Sequence, residues 1–183
     1  MRKPVLSSIT LLTLVVALLA TATPALAADR YELVLTSRSY VPAEVKLARA
    51  EDSHLVVQFY DIPSQAEREA LAEAGITLLD YLPNYAWTAH VRGGAVQSLE
   101  PGAVRAVFEL RSEDKMARSV EGQEIVRAFV YDGVEGAEAV LEVHGQILGR
   151  DKNSYTLLLE GDVRDLAGED IVKYVMGVRA PRR

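Results

Sequence analysis

His54-Leu-Val-Val-Gln-Phe-Tyr60, then Ser64-Gln-Ala-Glu67, then Gly75, is the stretch on which the fold of this chain turns. The first run alternates and is rich in β-branched and aromatic residues, which predicts a strand. Ser64 with Glu67 three residues on is a capping pair, so a helix begins there. Ala66, Ala70, Leu71 and Ala74 fall on one face of that helix, and Glu67, Arg68, Glu69 and Glu73 fall on the other. Gly75 ends it as a left-handed cap. Ile76 to Leu82 is a second strand, Pro83-Asn84 a turn and Tyr85 to Val91 a third strand. Gly93 to Leu99 supplies a short helix, and Ala103 to Leu110 is a fourth strand. The order is βαββαβ.

The order recurs downstream. Glu124 to Tyr131 predicts a strand, Val134 to His144 a helix and Gly145 its cap. Gln146 to Gly149 and Tyr155 to Glu160 predict a strand pair. Asp162 caps a short helix through Ala167, and Ile171 to Met176 closes the unit. A shift of 70 positions carries Phe59 onto Phe129, Gly75 onto Gly145 and Tyr85 onto Tyr155. A shift of 68 carries Ala103-Val-Arg-Ala-Val107 onto Ile171-Val-Lys-Tyr-Val175. Landmarks recurring in order indicate two copies of one unit.

A βαββαβ unit is the split-βαβ, ferredoxin-like plait, so the expected fold class is α+β: two tandem plaits, each an antiparallel sheet with its helices on one face. Residues 54–111 form the first plait, 112–123 the linker and 124–183 the second plait with a C-terminal tail. In the first plait the bulky set, with Phe59 and Trp87, belongs against the helices; Phe129 and Leu157 are the expected equivalents in the second. Val56, Gln58, Thr88 and His90 are then left on an open sheet face, available to solvent or to a partner.

The chain opens with Arg2 and Lys3, an apolar run from Val5 to Ala20 and a small-x-small site at Ala25-Leu26-Ala27. That succession predicts a signal peptide over 1–27, cleaved after Ala27, and a secreted or periplasmic protein with no membrane attachment after cleavage. An N-terminal arm, 28–53, follows. Without the two leader cations the mature part has 18 basic against 26 acidic residues, a formal charge of −8. This balance repels phosphate backbones and argues against nucleic acid. With no cysteine in the chain, an apolar core and not a disulfide framework must hold the fold.

No GxSxG, GxGxxG, P-loop or HExxH motif occurs in the sequence. His54 and His90 are expected as neighbours on the open face without a third ligand type, and His144 sits at a helix end, where an imidazolium suits the dipole. Asp162-Val-Arg-Asp165 lacks the alternating oxygen ligands of a calcium loop. The expectation is a protein that is not an enzyme, with no metal and no cofactor.

His54-Leu-Val-Val-Gln-Phe59 together with Ala74-Gly75-Ile76-Thr-Leu-Leu-Asp80-Tyr81-Leu82-Pro83-Asn84-Tyr85-Ala86 resembles the N-terminal, propeptide-like region that precedes the catalytic domain in some bacterial subtilisin-like serine peptidases. Glu138 to Arg150 is similar to the second such module, so the resemblance covers Tyr31 to Pro181. The triad motifs of the peptidase are absent, and no catalytic residue is carried over. The resemblance implies a non-catalytic module that binds a subtilisin-like serine protease, in cis or in trans, as inhibitor or folding chaperone. It is then either a separate protein or a fragment of a protease precursor. It also implies that the open sheet face packs on the protease while a C-terminal tail enters its groove. Arg179, Ala180, Pro181 and Arg182 are the tail residues expected to do so, the proline resisting cleavage. The alternative is a secreted envelope interaction module that uses the same face without a protease partner.

Overall fold

The computed structural model describes residues 30–99 and 102–178. They form an α+β structure dominated by three antiparallel sheets, with ten strands and three α-helices. A two-stranded hairpin, β1 (Leu33–Val34) and β2 (Ser39–Tyr40), precedes two four-stranded sheets. The first contains β3 (Ser53–Phe59), β4 (Ile76–Leu82), β5 (Ala86–Val91) and β6 (Val104–Phe108), in spatial order β4-β5-β3-β6. The second contains β7 (Ile125–Val130), β8 (Gly145–Asp151), β9 (Ser154–Leu159) and β10 (Val172–Gly177), in spatial order β8-β9-β7-β10. The two orders correspond strand for strand.

Local chemistry explains the elements. Helix α1 (Gln65–Glu73) starts on the expected capping box, in which Ser64 Oγ accepts from Glu67 N–H while the Glu67 carboxylate accepts from Ser64 N–H. Gly75 follows the helix at φ +92, the left-handed conformation that favours glycine. Gly145 obeys a different constraint. It opens β8, and a Cβ there would stand 2.2 Å from the Leu158 carbonyl oxygen, so close backbone approach and not a helix cap demands the glycine. The second helical segment of the first unit is a 3-10 turn, Ala95–Ser98. Its counterpart in the second unit is the α-helix α3 (Val163–Gly168), capped by Asp162.

Each sheet buries one face under its helical segments. In the first unit Leu55, Val57, Phe59, Ile76, Trp87, Ala89 and Val91 form the core, and Trp87 meets Phe59 and Tyr81 edge-on. In the second, Val126, Ala128, Val130, Tyr155 and Leu157 pack against Leu141 of α2 (Ala137–Leu141) and Leu166 of α3. Phe129 is not among them. The shift that carries β3 onto β7 is odd: Gln58 stands opposite Ala86, while Arg127 stands opposite Thr156, 70 positions beyond Ala86. A one-residue slip moves a side chain to the opposite face of a sheet. Phe129 therefore lies outside the core, beside Tyr174 and Met176, and the expected equivalence with Phe59 is corrected.

The segments between the units are packed. Lys46 bridges Val107 in parallel on the β6 edge, and Met116 bridges Val175 in parallel on the β10 edge, so each closing strand is covered by the segment that precedes its own unit. Residues 112–123, expected as a linker, contribute buried Met116 and Val120 to the second core. A 3-10 turn over Ser112–Lys115 buries Asp114 and Lys115.

Candidate protein-binding faces

The first sheet's far face is closed, which corrects the expectation that it is open. Along the arm Tyr31, Leu33 and Leu35 alternate across it, and fully buried Leu33 packs with Val56 and Ala86. Gln58 is 0% exposed. Its Nε2 donates to the Tyr31 carbonyl at 3.0 Å and to the Asn84 carbonyl at 2.9 Å, and its Oε1 accepts from Arg105 Nη1 at 2.7 Å. Arg105 lies beneath the Tyr31 ring, 4.7 Å from its centroid. Its Nε is 3.6 Å from a Glu44 oxygen, an ion pair too long for a hydrogen bond. The arm is anchored at its other end by Asp114, which accepts from Ser37 Oγ at 2.8 Å and from Arg38 Nε and Nη2 at 2.8 and 2.7 Å. Burial alone would raise the Asp114 carboxyl, but these donors outweigh it and hold it below the usual carboxylate range.

The other half of that face meets the second unit. Thr88 is buried, and its hydroxyl accepts from Asp80 N–H. The Asp80 carboxylate in turn pairs with Lys173 Nζ at 2.7 Å. His54 and His90 are neighbours as expected, ring centroids 5.3 Å apart. His54 stacks flat on Tyr131 at 4.2 Å, and its backbone N–H and ring Nδ1 both meet the Asp170 carboxylate, at 2.8 and 2.7 Å. Burial pushes the Tyr131 hydroxyl above its ordinary range. It also works against the Asp170 charge, but the His54 hydrogen bonds prevail and lower that carboxyl. The neighbouring Glu169 takes His144 Nε2 at 2.7 Å, and its backbone carbonyl accepts from Lys115 Nζ. Burial lowers the Lys115 ammonium. Among the described residues no group of three or more His, Asp or Glu is placed to hold a metal ion.

Of the residues expected to contact a partner, Val56, Gln58 and Thr88 are therefore buried within the chain, and His90 lines the cleft between the units. Arg179, Ala180, Pro181 and Arg182 lie outside the described residues. Tyr31-x-Leu33-x-Leu35 was the available signal that the arm adds apolar side chains to a sheet face.

The corresponding face of the second sheet is the one left uncovered by described elements. Ile125 is 39%, Leu148 50% and Met176 41% exposed, and Phe129, Thr156, Leu158 and Tyr174 are partly buried around them. Arg127 stands on the central strand β7 of this face, exposed, with no hydrogen bond or ion pair among the described residues. An apolar sheet surface around an arginine that has no partner among the described residues is suited to protein contact.

Residues 21–111 match the model of a family described as a domain of unknown function, DUF8729. That span holds the arm together with the sheet it covers. No curated protein and no solved structure matches the chain.

Proposed function

We propose that this protein is a non-catalytic, propeptide-like module of two tandem ferredoxin-like plaits, exported from the cell, which binds a subtilisin-like serine protease as inhibitor or folding chaperone. The matching strand orders of the two sheets support the tandem-plait reading. One observation supports the binding role: of two corresponding sheet faces, the first is occupied within the chain, and the second presents Ile125, Leu148 and Met176 to solvent among the described residues. Contact with the protease is assigned to this second face, and the segment 179–183, which follows β10, enters the substrate groove.

The test is inhibition of a panel of subtilisin-like proteases by the purified protein. Met176→Glu should weaken binding by placing an unpaired charge in the contact. Deletion of 179–183 should abolish inhibition with the fold intact. Absence of binding to every protease at micromolar concentration removes the protease from the proposal and leaves an envelope interaction module.

A further inference from the structure

The first sheet displays an occupant on the face whose counterpart in the second is covered by none of the described residues. There the arm lies with alternating Tyr31, Leu33 and Leu35 against the strands, and a side chain on the central strand β3, Gln58, donates to the arm's Tyr31 carbonyl. Arg127 holds the corresponding place on β7. Gln58 stands opposite Ala86, Arg127 opposite Thr156, and both pairs sit on the sheet face remote from the helices. Arg127 is again a side-chain donor on a central strand, opposite Thr156 and Met176 with Phe129 two residues on, where Gln58 stands opposite Ala86 and Ala106 with Tyr60 two residues on.

We infer that the outer face of the second sheet takes an extended segment of a partner protein, with aromatic or aliphatic side chains at alternate positions and a backbone carbonyl accepting from Arg127. The inference rests on the reading of this face as the contact surface and specifies what the partner lays on it. Alternation matches the two-residue period of a strand, so one side of such a segment buries its apolar side chains while the other stays wet. The carbonyl satisfies one guanidinium donor, and the others remain at the solvent edge, because Arg127 is exposed. A second copy of the chain is a poor occupant. A two-fold contact centred on β7 would bring Arg127 towards the Arg127 of its mate, two like charges in an apolar surface.

The probe is a synthetic peptide of this chain's own arm, residues 30–41, titrated into the full protein and followed by amide NMR. Saturable shifts are expected at Ile125, Phe129, Tyr174 and Met176 at sub-millimolar peptide, with the first sheet unchanged because its own arm competes at high effective concentration. R127L should weaken the peptide by roughly fivefold, the worth of one hydrogen bond. R127Q, which places the side chain of Gln58 at this position, should keep affinity within about twofold. Loss in R127Q equal to that in R127L would mean recognition of charge and overturn the arm-like occupant. So would shifts confined to the first sheet, no shifts at all, or dimerisation of the free protein through the second face. A peptide that binds as described while no protease does would retain this inference and sink the protease reading. The converse result would do the opposite.

Discussion

Asp114 is the buried side chain that ties down the arm's far end, beside Arg118, whose Nε donates to the Thr36 carbonyl at 2.9 Å, and its removal has a calculable outcome. The carboxylate accepts from Ser37 Oγ, from two nitrogens of Arg38 and, at 3.2 Å, from Arg111 N–H. Its side chain is fully buried, whereas that of Arg38 is 35% exposed. Each hydrogen bond to an ionised group contributes about 1.5–3 kcal/mol, but bonds sharing one acceptor do not add. Arg38 can also recover water once its partner is gone, which discounts its share. Asp114→Ala should therefore cost about 3 kcal/mol, below the upper end for breaking a buried pair. For a chain of this size that corresponds to a fall in thermal midpoint of roughly 6–12 °C. The arm should open on the order of 100-fold more often. Hydrogen exchange separates this from general destabilisation: the hairpin amide of Leu35, bonded to the Arg38 carbonyl, should lose protection before the amides of β7 and β9. Acid provides a second check. The folded Asp114 pKa lies below its unfolded value of about 3.9. Its contribution is thus present above pH 4 and lost as pH falls through the folded value, so wild type and Asp114→Ala should converge in strong acid. Unchanged arm protection, or a stability gap as large in strong acid as at pH 7, would refute the assignment of Asp114 as the anchor.

Phe59→Ala and Trp87→Ala should each lower stability by about 3–5 kcal/mol in urea unfolding, whereas Phe129→Ala, on the outer face of the second sheet, should cost less than about 1.5 kcal/mol. Equal losses would contradict the one-residue offset between the two sheets. Gly145→Ala should destabilise by more than about 2 kcal/mol, because the new methyl meets the Leu158 carbonyl, which is backbone and cannot swing aside. A neutral thermal scan would show that β8 can retreat from β9. Asp170→Ala should loosen the junction between the units and flatten the acid limb of the stability profile. The folded Asp170 pKa is lowered, so this residue too stabilises above about pH 4 and ceases to do so as pH falls. An acid limb as steep as in wild type would mean that His54 does not depend on Asp170.

Which stretches are strands and which are helices was legible in the amino-acid order, because those decisions are made over a few residues. The Ser64–Glu67 box, the alternation of His54 to Phe59 and the Asp162 cap each act within one turn or one strand, and all appear where expected. A recurring order of elements was legible as well: the two four-stranded sheets share one strand order, and Gly75 and Gly145 stand at the start of the second strand of each. Face assignment in the second unit was not. A two-residue period turns one position of misalignment into a complete reversal, and Phe129 is as apolar as a core residue should be. Only the tertiary structure decided what covers the sheets. Gln58 meets the Tyr31 carbonyl across 27 residues, and His54 meets Asp170 across 116. No spacing rule links such partners: an arm returning over a face is selected by the shape and donors of the assembled sheet, which exist only after β3 and β5 have paired.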